Sequence, residues 1–96
     1  MNEIYNITLS TPLGLKKGNL RFLNDNGNLS GSLVFMGNEN PFTNGTSDGN
    51  NFEFAGVFAL GSNRFKYSVK GSIDGDTLKA IASTKFGNMQ IKGIRA

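Results

Sequence analysis

Apolar and polar residues alternate along most of this chain with a period of two. Tyr5, Ile7 and Leu9 alternate with Asn6, Thr8 and Ser10, and Leu20 and Phe22 with Asn19 and Arg21. Leu29, Gly31, Leu33 and Phe35 share one face of a third segment, and Phe52, Phe54, Gly56 and Phe58 share one face of a fifth. Phe65, Tyr67, Val69 and Gly71 alternate with Arg64, Lys66, Ser68 and Lys70; Leu78, Ala80, Ala82 and then Met89, Ile91, Gly93 complete the series. A period of two is that of a strand with one buried face. No window carries apolar residues at helical spacing between a cap and a closing Gly, and Gly or Asn interrupts almost every stretch of ten.

The reversals between these runs are written in turn residues. Thr11-Pro-Leu-Gly14 suits a turn with Pro at its second and Gly at its fourth position. Asn26-Gly27, Asp48-Gly49 and Asp74-Gly-Asp76 are hairpin signals, and Gly61-Ser-Asn63 and Phe86-Gly-Asn88 mark two further reversals. Gly37 to Pro41 reads as a longer loop, leaving a short fourth strand from about Phe42 to Ser47. The Asn/Asp-Gly phrases recur 22 and 26 residues apart, about the length of two strands with their turns. The pattern predicts eight antiparallel strands in an up-and-down meander. An open meander has two bare edges that invite pairing with other chains, and closing it removes both. A closed barrel is therefore the expectation and a two-sheet sandwich the rival. Gly18, Gly31, Gly56, Gly71 and Gly93 share faces with large rings, as strands do that bend around a narrow interior or make room for a facing aromatic.

Composition narrows the function more than the fold. Ninety-six residues make a single domain, 1–96, with one modest core. Thirteen Gly against two Pro fit a chain of many reversals. With no Cys, stability rests on packing and strand pairing alone. The opening MNEIYNITLS has neither a basic nor an apolar leader segment, and no run approaches the length of a membrane helix, so the expectation is a cytoplasmic protein without membrane attachment. The net charge of +3 comes from scattered Lys and Arg and reads as a solvated surface.

Catalysis has little to draw on. His and Cys are absent, and the seven carboxylates mostly sit in or beside turns. Asp74-Gly-Asp76 offers too few oxygens for calcium, so no metal or cofactor is expected, and the chain reads as no enzyme. Arg64-Phe-Lys-Tyr-Ser-Val-Lys70 interleaves base and aromatic, but alternation puts them on opposite faces, which counts against a nucleic-acid platform. Glu53 points away from Phe52 and Phe54, toward solvent and a facing Lys.

Two functions remain. In the first the chain is an accessory or self-associating module: Val34, Met36, Val57, Ile81 and Ile94 face away from the core and would meet a second copy or a neighbouring domain. In the second it carries a small hydrophobic ligand among Leu20, Phe22, Leu33, Phe35, Phe54, Phe58 and Tyr67, with Tyr67 as polar handle. The first is preferred on the sequence.

The phrases Thr11-Pro-Leu-Gly14, Asn28-Leu-Ser-Gly31, Asp48-Gly-Asn50 and Asp74-Gly-Asp76 give the whole chain a resemblance to small bacterial barrels of the calycin kind, the lipocalin and avidin-like group. That resemblance implies an eight-stranded barrel closed at one end by an Arg from the last strand packed across a first-strand aromatic. Here these are Arg95 and Tyr5; Tyr5 stands where the group has Trp, and Glu3 where it has Gly.

Overall fold

The structure is a computed structural model. It describes residues 2–11, 14–35, 37–60, 62–85 and 87–96, with the side chains of all but Asn2, Thr11, Asn38, Ala59, Leu60 and Asn63. Eight strands follow one another: β1 (Asn2–Thr11), β2 (Gly14–Asp25), β3 (Asn28–Phe35), β4 (Asn38–Asp48), β5 (Asn51–Leu60), β6 (Asn63–Asp74), β7 (Thr77–Thr84) and β8 (Gly87–Arg95). Each pairs antiparallel with the next, and β8 returns to β1 to close an up-and-down barrel. Closure runs from Tyr5 opposite Arg95 to Leu9 opposite Ile91, so no sandwich forms.

The period-two apolar set is the interior. Tyr5, Ile7, Leu20, Phe22, Leu33, Phe35, Phe54, Val69, Leu78 and Ile91 are all buried. At about 1.5–3 kcal/mol per large apolar side chain, this inward row is the main favourable term holding the cylinder together. Opposite the wall, Glu53 pairs with Lys70 at 3.8 Å across β5 and β6, as alternation requires.

The turn chemistry resolves into two kinds. Asn26 and Gly27 both take positive φ (53° and 89°), the arrangement of a type I′ hairpin. In the other two, Gly49 and Gly75 (φ 62° each) are the first loop residues, while Asp48 and Asp74 end their strands. Positive φ at the first central position alone is the type II′ pattern. The Thr11–Gly14 turn has its two central residues outside the described part of the chain, as do Gly61 and Phe86 of the other two reversals.

The fourth strand departs from expectation. Gly37 to Pro41 is not a long loop: β4 begins at Asn38 and is one of the longer strands. Pro41 sits inside it, opposite Ser32. The β4–β5 ladder spans only Thr46–Asp48 against Asn51–Glu53, so Pro41 lies where β4 is paired on one side alone, a place a strand tolerates proline. A bulge sets Ser30 against Thr43 and Asn44, between the pairs Gly31–Phe42 and Leu29–Gly45. It turns both Phe42 and Gly45 inward. Where the β4–β5 ladder stops, Phe42 and Phe54 stack at 3.9 Å and 12°, so rings span the seam that backbone hydrogen bonds do not.

Candidate functional site

The two ends of the barrel differ. One carries both termini and the β2–β3, β4–β5 and β6–β7 turns. There Glu3 and Arg95, both at inward positions of their strands, meet over Tyr5. Arg95 Nη1 lies 3.2 Å from Glu3 Oε1, and its Nε 3.2 Å from Asp76 Oδ1 in the β6–β7 turn. Arg95 Nη2 donates to the Tyr5 hydroxyl at 3.3 Å and to the Gly75 carbonyl at 3.4 Å, while the guanidinium carbon stands 5.6 Å from the Tyr5 ring centroid. The Tyr5 hydroxyl donates in turn to Glu3 Oε2 at 3.1 Å. Burial first, and then the Glu3 hydrogen bond and charge, raise the Tyr5 pKa above its ordinary value, with Arg95 opposing. Two backbone bonds fasten the last residues, Arg95 N–H to Asp76 O and Ala96 N–H to Ile4 O. This end is plugged. Tyr5 and Arg95 thus lie together as the resemblance implies, and Glu3, standing where that group has Gly, supplies the plug's carboxylate.

Above the plug, rings fill the cylinder. Phe22 lies edge-on to Tyr5, Phe42, Phe52 and Phe54 with centroids 5.1–6.3 Å apart. Phe42 joins this cluster although the sequence pattern left it out; Pro41 and the bulge hide its place on the inward face beside Asn40.

Toward the opposite end the lining changes. Leu33 and Phe35 of β3 are buried, but Phe58, Phe65 and Met89 are only half-buried, so the aromatic interior meets solvent here. Phe58 bridges Phe35 at 6.1 Å and Phe65 at 5.5 Å. Asn40, buried on β4, donates its side-chain amide to the Leu33 carbonyl at 3.2 Å. Tyr67 is buried (5% exposed) directly opposite Gly56, and edge-on to Phe54 at 6.1 Å. Gly56 leaves the room: a Cβ there would stand 2.9 Å from the Tyr67 hydroxyl. That hydroxyl has no hydrogen-bond partner among the described residues, and burial pushes its pKa up to about 12. Buried hydroxyls are nearly always bonded, so this one is an open valence.

The candidate residues Leu20, Phe22, Leu33, Phe35, Phe54, Phe58 and Tyr67 all face inward in one hydrophobic cluster that spans the length of the barrel. Phe22 lies in its part beside the plug, while Leu33, Phe35, Phe58 and Tyr67 lie toward the open end. On the outer wall, a depression lined by Val57, Arg64, Lys66, Ser68, Ser83 and Lys85 runs over β5, β6 and β7. Exposed Ile4, Leu23 and Ile94 lie diagonally next to one another across β2, β1 and β8, while the other outward apolar residues are dispersed. Val57, Ile81 and Ile94 are exposed but face Lys66, Lys70 and Gln90, and Asn6 and Thr77 across their ladders. Val34 is half-buried, and Met36 lies outside the described residues.

No family model matches this chain, and no curated protein matches it. Among solved structures it is similar to a redesigned β-barrel, mFAP1, determined bound to DFHBI, with a TM-score of 0.65 and 12% sequence identity. The likeness covers 98% of this chain and 93% of that one. At that identity it is a likeness of fold.

Proposed function

We propose that the protein is a non-enzymatic binding barrel that takes a small, flat, apolar ligand at the end away from the Arg95 plug, with the Tyr67 hydroxyl as its polar contact. The observation that carries this is the buried, unpartnered Tyr67 hydroxyl beside a half-exposed aromatic lining. A neutral phenol in such a place donates one hydrogen bond and orients a ligand that apolar walls hold otherwise without direction. Leu33, Phe35, Phe54 and Phe58 supply those walls. That a barrel of similar fold was determined with a small molecule bound supports this reading over self-association. A calycin-like ancestry belongs to the same reading.

The test is a titration with flat, environment-sensitive apolar dyes. The expected result is a saturable one-to-one fluorescence gain, lost on Phe58→Ala and weakened on Tyr67→Phe. No gain with any dye, together with a dimer in sedimentation, would replace this reading with the self-associating module. One observation favours that second reading: Ile4 and Ile94, both exposed, lie diagonally across the β1–β8 closure.

A further inference from the structure

We propose that a groove across the outer wall of β7, β8, β1 and β2 binds a linear polyphosphate chain. This site is separate from the barrel interior and does not rest on the ligand proposed there.

Register assembles the groove from positions far apart in sequence. Lys79 stands opposite Lys92, Lys92 opposite Thr8, and Thr8 opposite Lys17. All four side chains alternate outward from inward-facing neighbours. With strands about 4.8 Å apart, Lys79 and Lys17 end a row roughly 14 Å long. A second outward row beside it carries Thr77, the exposed Ile94, Asn6 and Asn19. All these residues line one depression.

The wall sinks here because two of the inward positions beneath it are glycines. Gly18 and Gly93 flank Ile7 in register. A Cβ on Gly93 would stand 2.8 Å from Ile7 Cγ2, and one on Gly18 would meet the Val34 carbonyl and the Phe35 ring. The strands can approach the core this closely only without side chains at those points, and their outer surface follows them inward.

Among the described residues none of the three groove lysines is in an ion pair. No carboxylate lines the groove. Glu53 pairs with Lys70, and Glu3 and Asp76 are held by Arg95. Asp25 and Asp48 end β2 and β4 at the plugged end of the barrel, Glu39 of β4 faces Val34, and Asp74 stands opposite Thr77 at the groove's β7 edge, diagonal to Lys79. Like charges directly opposite one another are destabilising, and the fold gains nothing from placing Lys79 against Lys92. An anion seated between them reverses the sign of that term. Three ammonium groups in a row, with the donors of Thr8, Asn6, Asn19 and Thr77 beside them, match a chain of regularly spaced phosphate oxygens. No aromatic ring lines the groove, so bases would find nothing to stack on.

The experiment titrates the full chain with linear inorganic polyphosphate across a range of salt, alongside an oligothymidylate of similar charge. Lys79→Gln/Lys92→Gln is expected to weaken polyphosphate binding at least tenfold and to lower the salt slope by roughly one per lysine removed. Lys66→Gln/Lys85→Gln, with the same change in net charge, is expected to stay within twofold of wild type. The groove double variant should also melt higher than wild type in the absence of ligand, which separates a lost site from a damaged fold. Equal losses in the two double variants, no polyphosphate binding near physiological salt, or tighter binding of the oligothymidylate would each overturn the proposal.

Discussion

Replacing Tyr67 with Phe removes one oxygen atom and leaves the ring against Phe54. That oxygen is buried and has no hydrogen-bond partner among the described residues. An unsatisfied buried hydroxyl costs about 1–3 kcal/mol. The vacancy left by one atom, at about 24 cal/mol per Å³, takes back a few tenths. The variant should therefore be more stable by about 1–2 kcal/mol, a rise in Tm of roughly 5–10 °C for a domain of this size. Urea denaturation should show a higher midpoint with an unchanged slope. The pH dependence provides an independent check. Tyr67 in the folded barrel titrates at about 12, above its ordinary value of 10.0. Between those values the unfolded chain has released the proton while the folded chain keeps it, so the stability present below pH 10 is lost as pH climbs toward 12. The loss is about 2 kcal/mol. Tyr67→Phe lacks this group, and the difference between the two curves, in which the lysines cancel, should open over that window. A variant less stable than wild type at pH 7 would show that the hydroxyl has a partner within the protein, and one with the same alkaline loss that the hydroxyl does not titrate as a buried group; either would remove the argument for a ligand there.

Three further outcomes follow from the same geometry. Arg95→Ala should cost about 1–2 kcal/mol in urea denaturation, discounted for the partial exposure of its ion pairs; in a Tyr67→Phe background, ultraviolet titration should show the Tyr5 pKa moving further up once Glu3 acts on it unopposed. Phe42→Ala should cost about 3–5 kcal/mol and speed amide exchange most along the β4–β5 seam, where the ring stack stands in for ladder bonds. Gly31→Ala, with φ 154° and a Cβ driven into the Arg21 carbonyl, should cost roughly 3 kcal/mol by equilibrium denaturation, well above Gly87→Ala, where φ is 110° but nothing lies within 4 Å.

The strand count, the inward set and the closed meander were all legible in the chain, because a period of two and Asn/Asp-Gly turns are local signals that adjacent residues carry. Tyr67 facing inward could be read in the same way from Phe65 and Val69. What the linear order could not show is what each residue faces across the barrel. Phe42 escaped because a proline and a bulge broke its local rhythm, and only the stack on Phe54 reveals its role. Glu3 and Arg95 are ninety-two residues apart, and register with strand tilt decides that they cap the same end. The orphaned Tyr67 hydroxyl and the row of Lys17, Lys92 and Lys79 are likewise products of tertiary structure. Alternation along one strand sets the face on which a side chain lies, whereas its neighbours on that face come from other strands and depend on how the whole cylinder closes.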